Sequence, residues 1–160
     1  MALSICIKIG KITGESSIKN HVGEIEVLSW NWGLSQSASA HVGSGGGSGS
    51  ADVQDLTFTK YVDNASPALI QECFQGGDQG EAVLTVLKAS GKDALDFVKI
   101  TMNGTVIVSS VRTGDPLPND RYSETVTLNF SHAKFEYTLQ TGTNSTGATA
   151  TGEIAINQQS

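Results

Sequence analysis

The chain has 160 residues, a length most economically read as one domain and large enough to bury a core without disulfides or metals. Hydrophobic residues make up 38% of it and charged residues only 16%, which predicts an unusually neutral surface of the kind that meets other proteins. The formal net charge of −6 argues against nucleic acid as a partner, because no cluster of Lys and Arg is present to replace counterions.

The first residues, "MALSICIKIGK", alternate between apolar and polar side chains, as a half-buried β-strand does. They lack the basic start, apolar stretch and small-residue cleavage site of a signal peptide. No later run approaches the ~20 apolar residues that span a bilayer. The sequence therefore predicts a protein made in the cytoplasm without a general export signal and without membrane insertion.

The segment with both tryptophans changes its strand register. Ile25 and Val27 mark the apolar face at first, but from Leu28 onward the apolar positions are those of Trp30 and Trp32. A one-residue shift of this kind moves every side chain to the other face of a sheet, so we expect a bulge or a sharp bend near Val27–Leu28.

Opposite the tryptophans, the strand carries only small uncharged residues. An ordinary solvent face would include Lys or Glu, so this face is typical of a surface that lines a space or presses against a neighbour. A merely polar outer face is the alternative. The residues concerned are Ser29, Asn31, Gly33 and Ser35.

A Gly/Ser tract follows from Gln36 to Ser50, with no Leu, Ile, Phe or charged residue. Its composition predicts a flexible loop, and a loop this long inside one domain is commonly functional. It lacks the Gly-Lys-Ser/Thr ending of a phosphate-binding loop. Because strand patterning resumes with Leu56 and Phe58, the tract predicts the tip of a protruding hairpin.

One helix is predicted over about residues 66–75. Ser66 can cap it, Pro67 suits its first turn, and Gly76-Gly77 ends it. Its apolar stripe should cover an open end or side of a barrel. The stripe consists of Leu69, Ile70, Cys73 and Phe74.

Further alternating runs follow the helix. Asn103-Gly104 separates two of them and predicts a two-residue hairpin turn, because both central turn residues need positive φ. The runs 122–130, interrupted by Glu124, and 133–139 are nearly contiguous and predict a hairpin or a bent strand. Residues 140–160 are rich in Thr, Gly and Asn and predict a tail or one edge strand.

The chain shows no arrangement of nucleophile, base and oxyanion donor, so we expect no enzyme, no cofactor and no metal site. Glu24 and Glu26 lie two apart at a strand start, which is more typical of a solvated edge than of an acid/base pair. Neither the cysteines nor the histidines have metal-ligand spacing. We therefore expect each cysteine to be a small buried hydrophobic side chain, and each histidine to be solvated or locally hydrogen-bonded. These residues are Cys6, Cys73, His21, His41 and His132.

Several blocks in order carry a resemblance to a known family: "TGES", "HVGEIEVLSWNWGLSQSASAHVGSGGGSG", "VQDLTFTKYVDNASPAL", "VIVSSV" and "SETVTLNFSHAKFEY". Together the chain resembles the haemolysin-coregulated protein (Hcp) family of bacterial type VI secretion over residues 1–139. The resemblance implies a compact antiparallel β-barrel with one short α-helix and a long protruding hairpin loop. Residues 140–160 show no family pattern.

The resemblance also implies a function. In that family, copies of the protein form hexameric rings that stack into a tube, which is expelled with the spike protein by a sheath and baseplate and carries effector proteins in its lumen. This implies secretion without a signal peptide. Lumen contacts carry over to Ser29, Asn31 and Gly33, with Asn31 standing where the family usually has Ser. The loop that contacts the neighbouring subunit or ring carries over to Gln36, His41, Gly45, Gly46 and Gly47.

Two other functions stay open on sequence grounds. A phage tail-tube-like protein would have the same barrel and ring without effector cargo. A β-sandwich carbohydrate-binding module would use Trp30 and Trp32 to stack on sugars, although Leu28 and Leu34 on the same face favour packing.

Overall fold

The computed structural model describes residues 3–38, 40, 50–90, 93–140 and 146–156. Ten strands and one helix occupy these ranges. They are β1 Leu3–Ile9, β2 Ile25–Glu26, β3 Ser29–Asn31, β4 Leu34–Gln36, β5 Ala51–Val53, β6 Leu56–Tyr61, α1 Ser66–Gln75, β7 Ala82–Ser90, β8 Asp93–Pro116, β9 Tyr122–Gln140 and β10 Thr146–Ala155.

The main sheet is antiparallel and curls into a barrel. Its strand order is β2-β1-β7-β8-β9-β6-β3, with β10 paired to β9. The strands β2 and β3 lie at opposite ends of this order but follow each other in the chain, so the sheet closes where they meet. There the Val27 N–H donates to Ile5 O at 2.9 Å and the Leu28 N–H to Thr59 O at 2.8 Å. The predicted antiparallel barrel is confirmed.

The register change in the tryptophan segment has its cause at the same point. The strand ends after Glu26, and the chain resumes as β3 on a different partner, β6 instead of β1. A change of partner lets each short strand keep its own inward face. The bend predicted near Val27–Leu28 is confirmed.

The hairpin predicted at Asn103-Gly104 is wrong. The chain continues through both residues in one strand of 24 residues, β8, which pairs with the 19-residue β9. Gly104 does have positive φ, at 77°, but uses it in a bulge between the pairs Asn103↔His132 and Val106↔Phe130. The Thr105 N–H donates to Ser131 Oγ at 2.9 Å there. Positive φ therefore bends the strand without reversing it.

The run from 122 to 139 likewise forms one strand, β9, which curves around the barrel beside β8. The core lies inside this curve. Its most buried members, at 1% exposure or less, include Ile7, Leu56, Phe58, Leu84 and Leu128. Burial of each such side chain stabilises the fold by about 1.5–3 kcal/mol.

Helix α1 lies where the sequence predicts it, but two details differ. Ser66 does not cap it; Ala65 stands at the N-cap, and no side chain makes a capping hydrogen bond. Gly76, with φ 66°, ends the helix. Of the predicted stripe, Leu69 is buried, whereas Ile70 is 46% and Phe74 92% exposed. The helix therefore covers the barrel with only part of its apolar side chains.

The segment between β1 and β2 covers the outer side of β1. Cys6 points away from the barrel interior yet has 0% exposure, and its Sγ lies 3.6 Å from Ser16 Oγ. Burial raises the pKa of the Cys6 thiol. The prediction of a buried Cys6 is confirmed, while Cys73 is only half-buried on α1.

After β9 the chain adds an edge strand. Strand β10 runs antiparallel to β9, with Ile154 opposite Ala133 and Ala150 opposite Tyr137. Residues 146–155 therefore extend the main sheet at its edge, consistent with the edge-strand reading of the C-terminal segment.

Candidate interaction surface

The outward side of β3, β6 and β9 carries small uncharged side chains in register. Ser29 lies opposite Thr59, which lies opposite Thr125; Asn31 and Thr57 continue the second row. We call this surface the hydroxyl face. Its members are Ser29, Asn31, Thr57, Thr59, Thr125 and Thr127.

Hydrogen bonds across the strands hold the hydroxyl face together. Ser29 Oγ lies 2.6 Å from Thr59 Oγ1, and Thr57 Oγ1 lies 3.4 Å from Thr127 Oγ1. Ser29 and Asn31 are exposed, and the threonines are half-buried by their neighbours. Such a surface offers neutral hydrogen-bonding groups on a stiff backbone without fixed charge.

The tryptophans sit on the other side of this wall. Trp30 pairs with Phe58 and packs against the core. Trp32 makes an edge-to-face contact with Phe130, with ring centroids 5.9 Å apart, and its Nε1–H donates to Gln54 O at 2.9 Å. Rings held in this way serve as packing anchors, which weakens the carbohydrate-platform hypothesis. Leu28, predicted on the same face, is 42% exposed.

Beyond β3 the chain leaves the main sheet. Gly33 accepts a hydrogen bond from the Gln54 N–H at 3.0 Å and lies at the base of a separate two-stranded hairpin, β4–β5. Leu34 pairs with Val53 there. Of the three residues predicted for a lumen, Ser29 and Asn31 therefore share the hydroxyl face, and Gly33 lies beside it.

The hairpin β4–β5 is the start of the predicted protruding loop. Gln36 is exposed at the end of β4, and its Oε1 accepts a hydrogen bond from the Ala38 N–H at 3.0 Å. The Ser50 N–H donates to Ser37 Oγ at 2.9 Å, which keeps the two arms together. The other predicted contact positions, His41, Gly45, Gly46 and Gly47, lie outside the described residues.

His21 has a local hydrogen-bond partner, as predicted, and a second partner on a distant strand. Its Nδ1 lies 2.8 Å from Glu24 Oε2 and its Nε2 3.2 Å from Asp96 Oδ1, so it ties the segment before β2 to β8. His132 Nε2 lies 3.5 Å from Glu153 Oε1. Among the described residues, no group of three or more His, Cys, Asp or Glu side chains could hold a metal ion.

A buried charged cluster went unpredicted. Lys60 and Glu124 both have 0% exposure, and Lys60 Nζ donates to Glu124 Oε1 at 3.0 Å and to Ser66 Oγ at 3.1 Å. Asp63 Oδ1 lies 2.8 Å from the same Nζ. Ser66 Oγ also donates to Glu124 Oε1. The one signal in the sequence is that Glu124 interrupts an apolar alternation, at the same strand face as Val126 and Leu128.

Within the described ranges, no helix is both long and apolar enough to cross a membrane.

The fold thus defines a compact antiparallel β-barrel with one helix and a projecting hairpin. The amino-acid sequence matches known proteins over nearly the whole length of the chain. A family model described as "Type VI secretion system effector, Hcp" matches residues 6–137. The chain is 49% identical over 140 residues to "Protein hcp1" of Pseudomonas aeruginosa, covering 88% of this chain and 86% of that protein.

Solved structures agree. The crystal structure of Hcp1 from Salmonella typhimurium superposes with a TM-score of 0.81 at 36% identity, covering 99% of this chain and 98% of that one. A second structure, titled "Structure of a type six secretion system protein", gives a TM-score of 0.89 at 26% identity, covering 99% of both chains. The chain belongs to the Hcp family of type VI secretion proteins. This is a family of secreted structural proteins whose setting is the type VI secretion machinery.

Proposed function

We propose that this protein is the subunit of the type VI secretion inner tube, forming hexameric rings that stack and are expelled together with the spike by the sheath and baseplate. The hydroxyl face lines the lumen, where Ser29 and Asn31 contact effector proteins. The hairpin loop from Gln36 contacts the neighbouring subunit or the next ring.

The observation that carries this proposal is the hydroxyl face. A monomer gains solubility from charged outer surfaces, but on this side β3, β6 and β9 present only hydroxyl and amide groups. The neighbouring strand β8 adds one charge, Arg112, opposite Thr125. A channel that must pass many different proteins benefits from a neutral wall, because fixed charge would hold some of them and repel others. Family membership supplies the secretion setting.

The ring is tested by native mass spectrometry of the purified chain at rising concentration. We expect a hexamer as the dominant species. A protein that stays monomeric at high concentration would contradict the tube proposal.

The lumen assignment is tested by Asn31→Arg, with Ser17→Arg as the matched control on an exposed residue outside the sheet. Rings purified from the producing bacterium are compared by mass spectrometry of the proteins that co-purify. We expect Asn31→Arg to keep the hexamer and change the co-purifying set, and Ser17→Arg to change neither. Loss of the hexamer in Asn31→Arg alone would place Asn31 at a subunit interface instead.

A phage tail-tube-like role would use the same ring without cargo. Membership in a type VI secretion family favours the secretion role. Rings that co-purify with no small protein, in either variant or in the parent, would speak for the cargo-free alternative.

A further inference from the structure

One charged side chain borders the hydroxyl face on its β8 side. Arg112 lies opposite Thr125 of β9. Thr125 in turn lies opposite Thr59, which lies opposite Ser29. These residues form one row across four strands, and residues in such a row point to the same side of a sheet. The row that begins with the hydroxyl group of Ser29 therefore ends in a guanidinium group.

The strand holds Arg112 on the outward side. The preceding residue, Val111, packs against the core, and its partner in the ladder is the buried Val126. Successive side chains of a strand alternate between the two faces, so Arg112 points away from the core. It is exposed there.

Arg112 makes no ion pair in the part of the chain that the structure describes. The carboxylate of Asp55 is on the same side but out of reach. Asp55 Oδ1 accepts a hydrogen bond from Asn129 Nδ2 at 2.9 Å. Asn129 is four residues along β9 from Thr125, which corresponds to roughly 13 Å of strand. The guanidinium of Arg112 is therefore available to a carboxylate from another molecule.

The opposite end of the face carries charges of both signs. Asp115 lies opposite Ser123, and so does Tyr61, whose ring lies 3.5 Å from the guanidinium carbon of Arg121. The formal charges of Asp115 and Arg121 offset each other at this end. Arg112 therefore adds an excess positive charge to this part of the wall.

We propose that Arg112 binds acidic groups of effector proteins, so that the lumen favours effectors with an acidic contact surface. The inference rests on the proposed tube and names the class of partner that its lumen takes. A guanidinium group forms two parallel hydrogen bonds with a carboxylate. Arg112 and Ser29 are three strand spacings apart, roughly 14 Å, so one bound surface spans both. Its Asp or Glu side chains pair with Arg112, and its uncharged polar groups form hydrogen bonds with Ser29 and Asn31.

A hexamer multiplies this effect. Six copies of Arg112 lie at one height of the proposed lumen, and a ring of equal charges in a pore selects the opposite sign. The chain itself has a formal net charge of −6, which repels acidic proteins from most of the ring surface. The arginine ring therefore gives an acidic effector a defined place to bind.

Three substitutions at one position test this pairing. Arg112→Gln removes the charge, Arg112→Lys keeps it, and Arg112→Glu reverses it. Lys11→Gln is the control, because it removes one charge from an exposed residue outside the sheet. Rings of each variant are purified from the producing bacterium, the hexamer is checked by native mass spectrometry, and co-purifying proteins are quantified by mass spectrometry.

We expect Arg112→Gln to lower the amount of co-purifying acidic proteins about tenfold, and Arg112→Lys to retain much of it. Arg112→Glu should retain basic proteins instead, and Lys11→Gln should match the parent. Because salt screens an exposed ionic contact, washing parent rings with about 1 M NaCl should release the same proteins that Arg112→Gln loses.

The outcomes separate this inference from the proposed function. An unchanged set of proteins in Arg112→Gln and Arg112→Glu, or a lost set that is basic, would overturn the inference and leave the tube proposal in place. Loss of the hexamer in both Arg112→Gln and Arg112→Lys would place Arg112 at a subunit contact, which also overturns it. A parent protein that stays monomeric, or parent rings that carry no protein, would contradict the proposed function itself.

Discussion

In most sheets the face toward the core is apolar and the outward face carries the charges, but in strand β6 the charge lies on the inward face. Its inward positions end with Lys60, which has 0% exposure and lies beside Glu124, also at 0%. Its outward positions Thr57 and Thr59 carry no charge. Inside the barrel, Lys60 and Glu124 both contact Ser66 and so tie α1 to the strands. Outside, Thr57 and Thr59 give an uncharged wall, which suits the assembly that we propose. We therefore expect the interior cluster to serve stability, and the proposed function assigns association to the outer face.

Breaking the interior pair should have the largest effect. Lys60→Met leaves Glu124 and Asp63 buried without their cation, so we expect a loss of about 3–5 kcal/mol in the free energy of unfolding. Chemical denaturation measures it, with the exposed Lys11→Met as a control expected within about 0.5 kcal/mol. A loss below about 1 kcal/mol for Lys60→Met would show that the cluster does not hold the helix.

Replacing both charges should cost much less. In Lys60→Met with Glu124→Leu, apolar side chains of similar volume fill the same space and the fully buried glutamate is gone. Asp63 stays without its cation but keeps the hydrogen bond from the Ala65 N–H. We expect most of the loss from Lys60→Met to be recovered in the same denaturation experiment. Failure to recover would mean that the hydrogen bonds to Ser66, and not the balance of charge, give the cluster its effect.

The outer face should contribute little to stability. Thr59→Val removes the 2.6 Å hydrogen bond to Ser29 on an exposed surface, and we expect a change in unfolding free energy below about 1 kcal/mol. The hexamer should persist by native mass spectrometry. A loss as large as that of Lys60→Met would erase the functional distinction between the two faces.

The smallest expected effect on stability comes from the exposed carboxylate of Asp78, and it depends on pH. Hydrogen bonds from the Val106 and Gly80 N–H groups to Oδ1 lower the pKa of Asp78 below its model-peptide value of 3.8. Since the folded pKa is the lower one, the stabilisation is present above pH 3.8 and is lost as pH falls through the folded pKa. Asp78→Asn keeps an acceptor oxygen but no charge. Its melting temperature should therefore lie slightly below the parent's at neutral pH and converge with it in acid; a constant difference would contradict the charge effect.

Local sequence patterns settled much of the architecture. Period-two alternation predicts β1, β6 and β9, because a strand with one buried face must alternate. Pro67 and Gly76-Gly77 bracket the helix, since proline suits a first turn and glycine a left-handed end. The register change at Val27–Leu28 was visible for the same reason: no strand can turn its buried face outward without a break. Ser29 and Asn31 were visible as a neutral face.

Contacts between distant residues decided the rest. The pair Asn103-Gly104 is compatible with a turn or with a bulge. A bulge forms because β9 pairs with β8 on both sides of Gly104, which keeps β8 continuous. Ser66 could cap its helix, but Lys60 and Glu124 draw its hydroxyl inward. A lysine and a glutamate 64 positions apart reveal their pairing only when β6 and β9 lie side by side. Positive φ, a hydroxyl group and a charge each allow several local uses, and the tertiary partner selects among them.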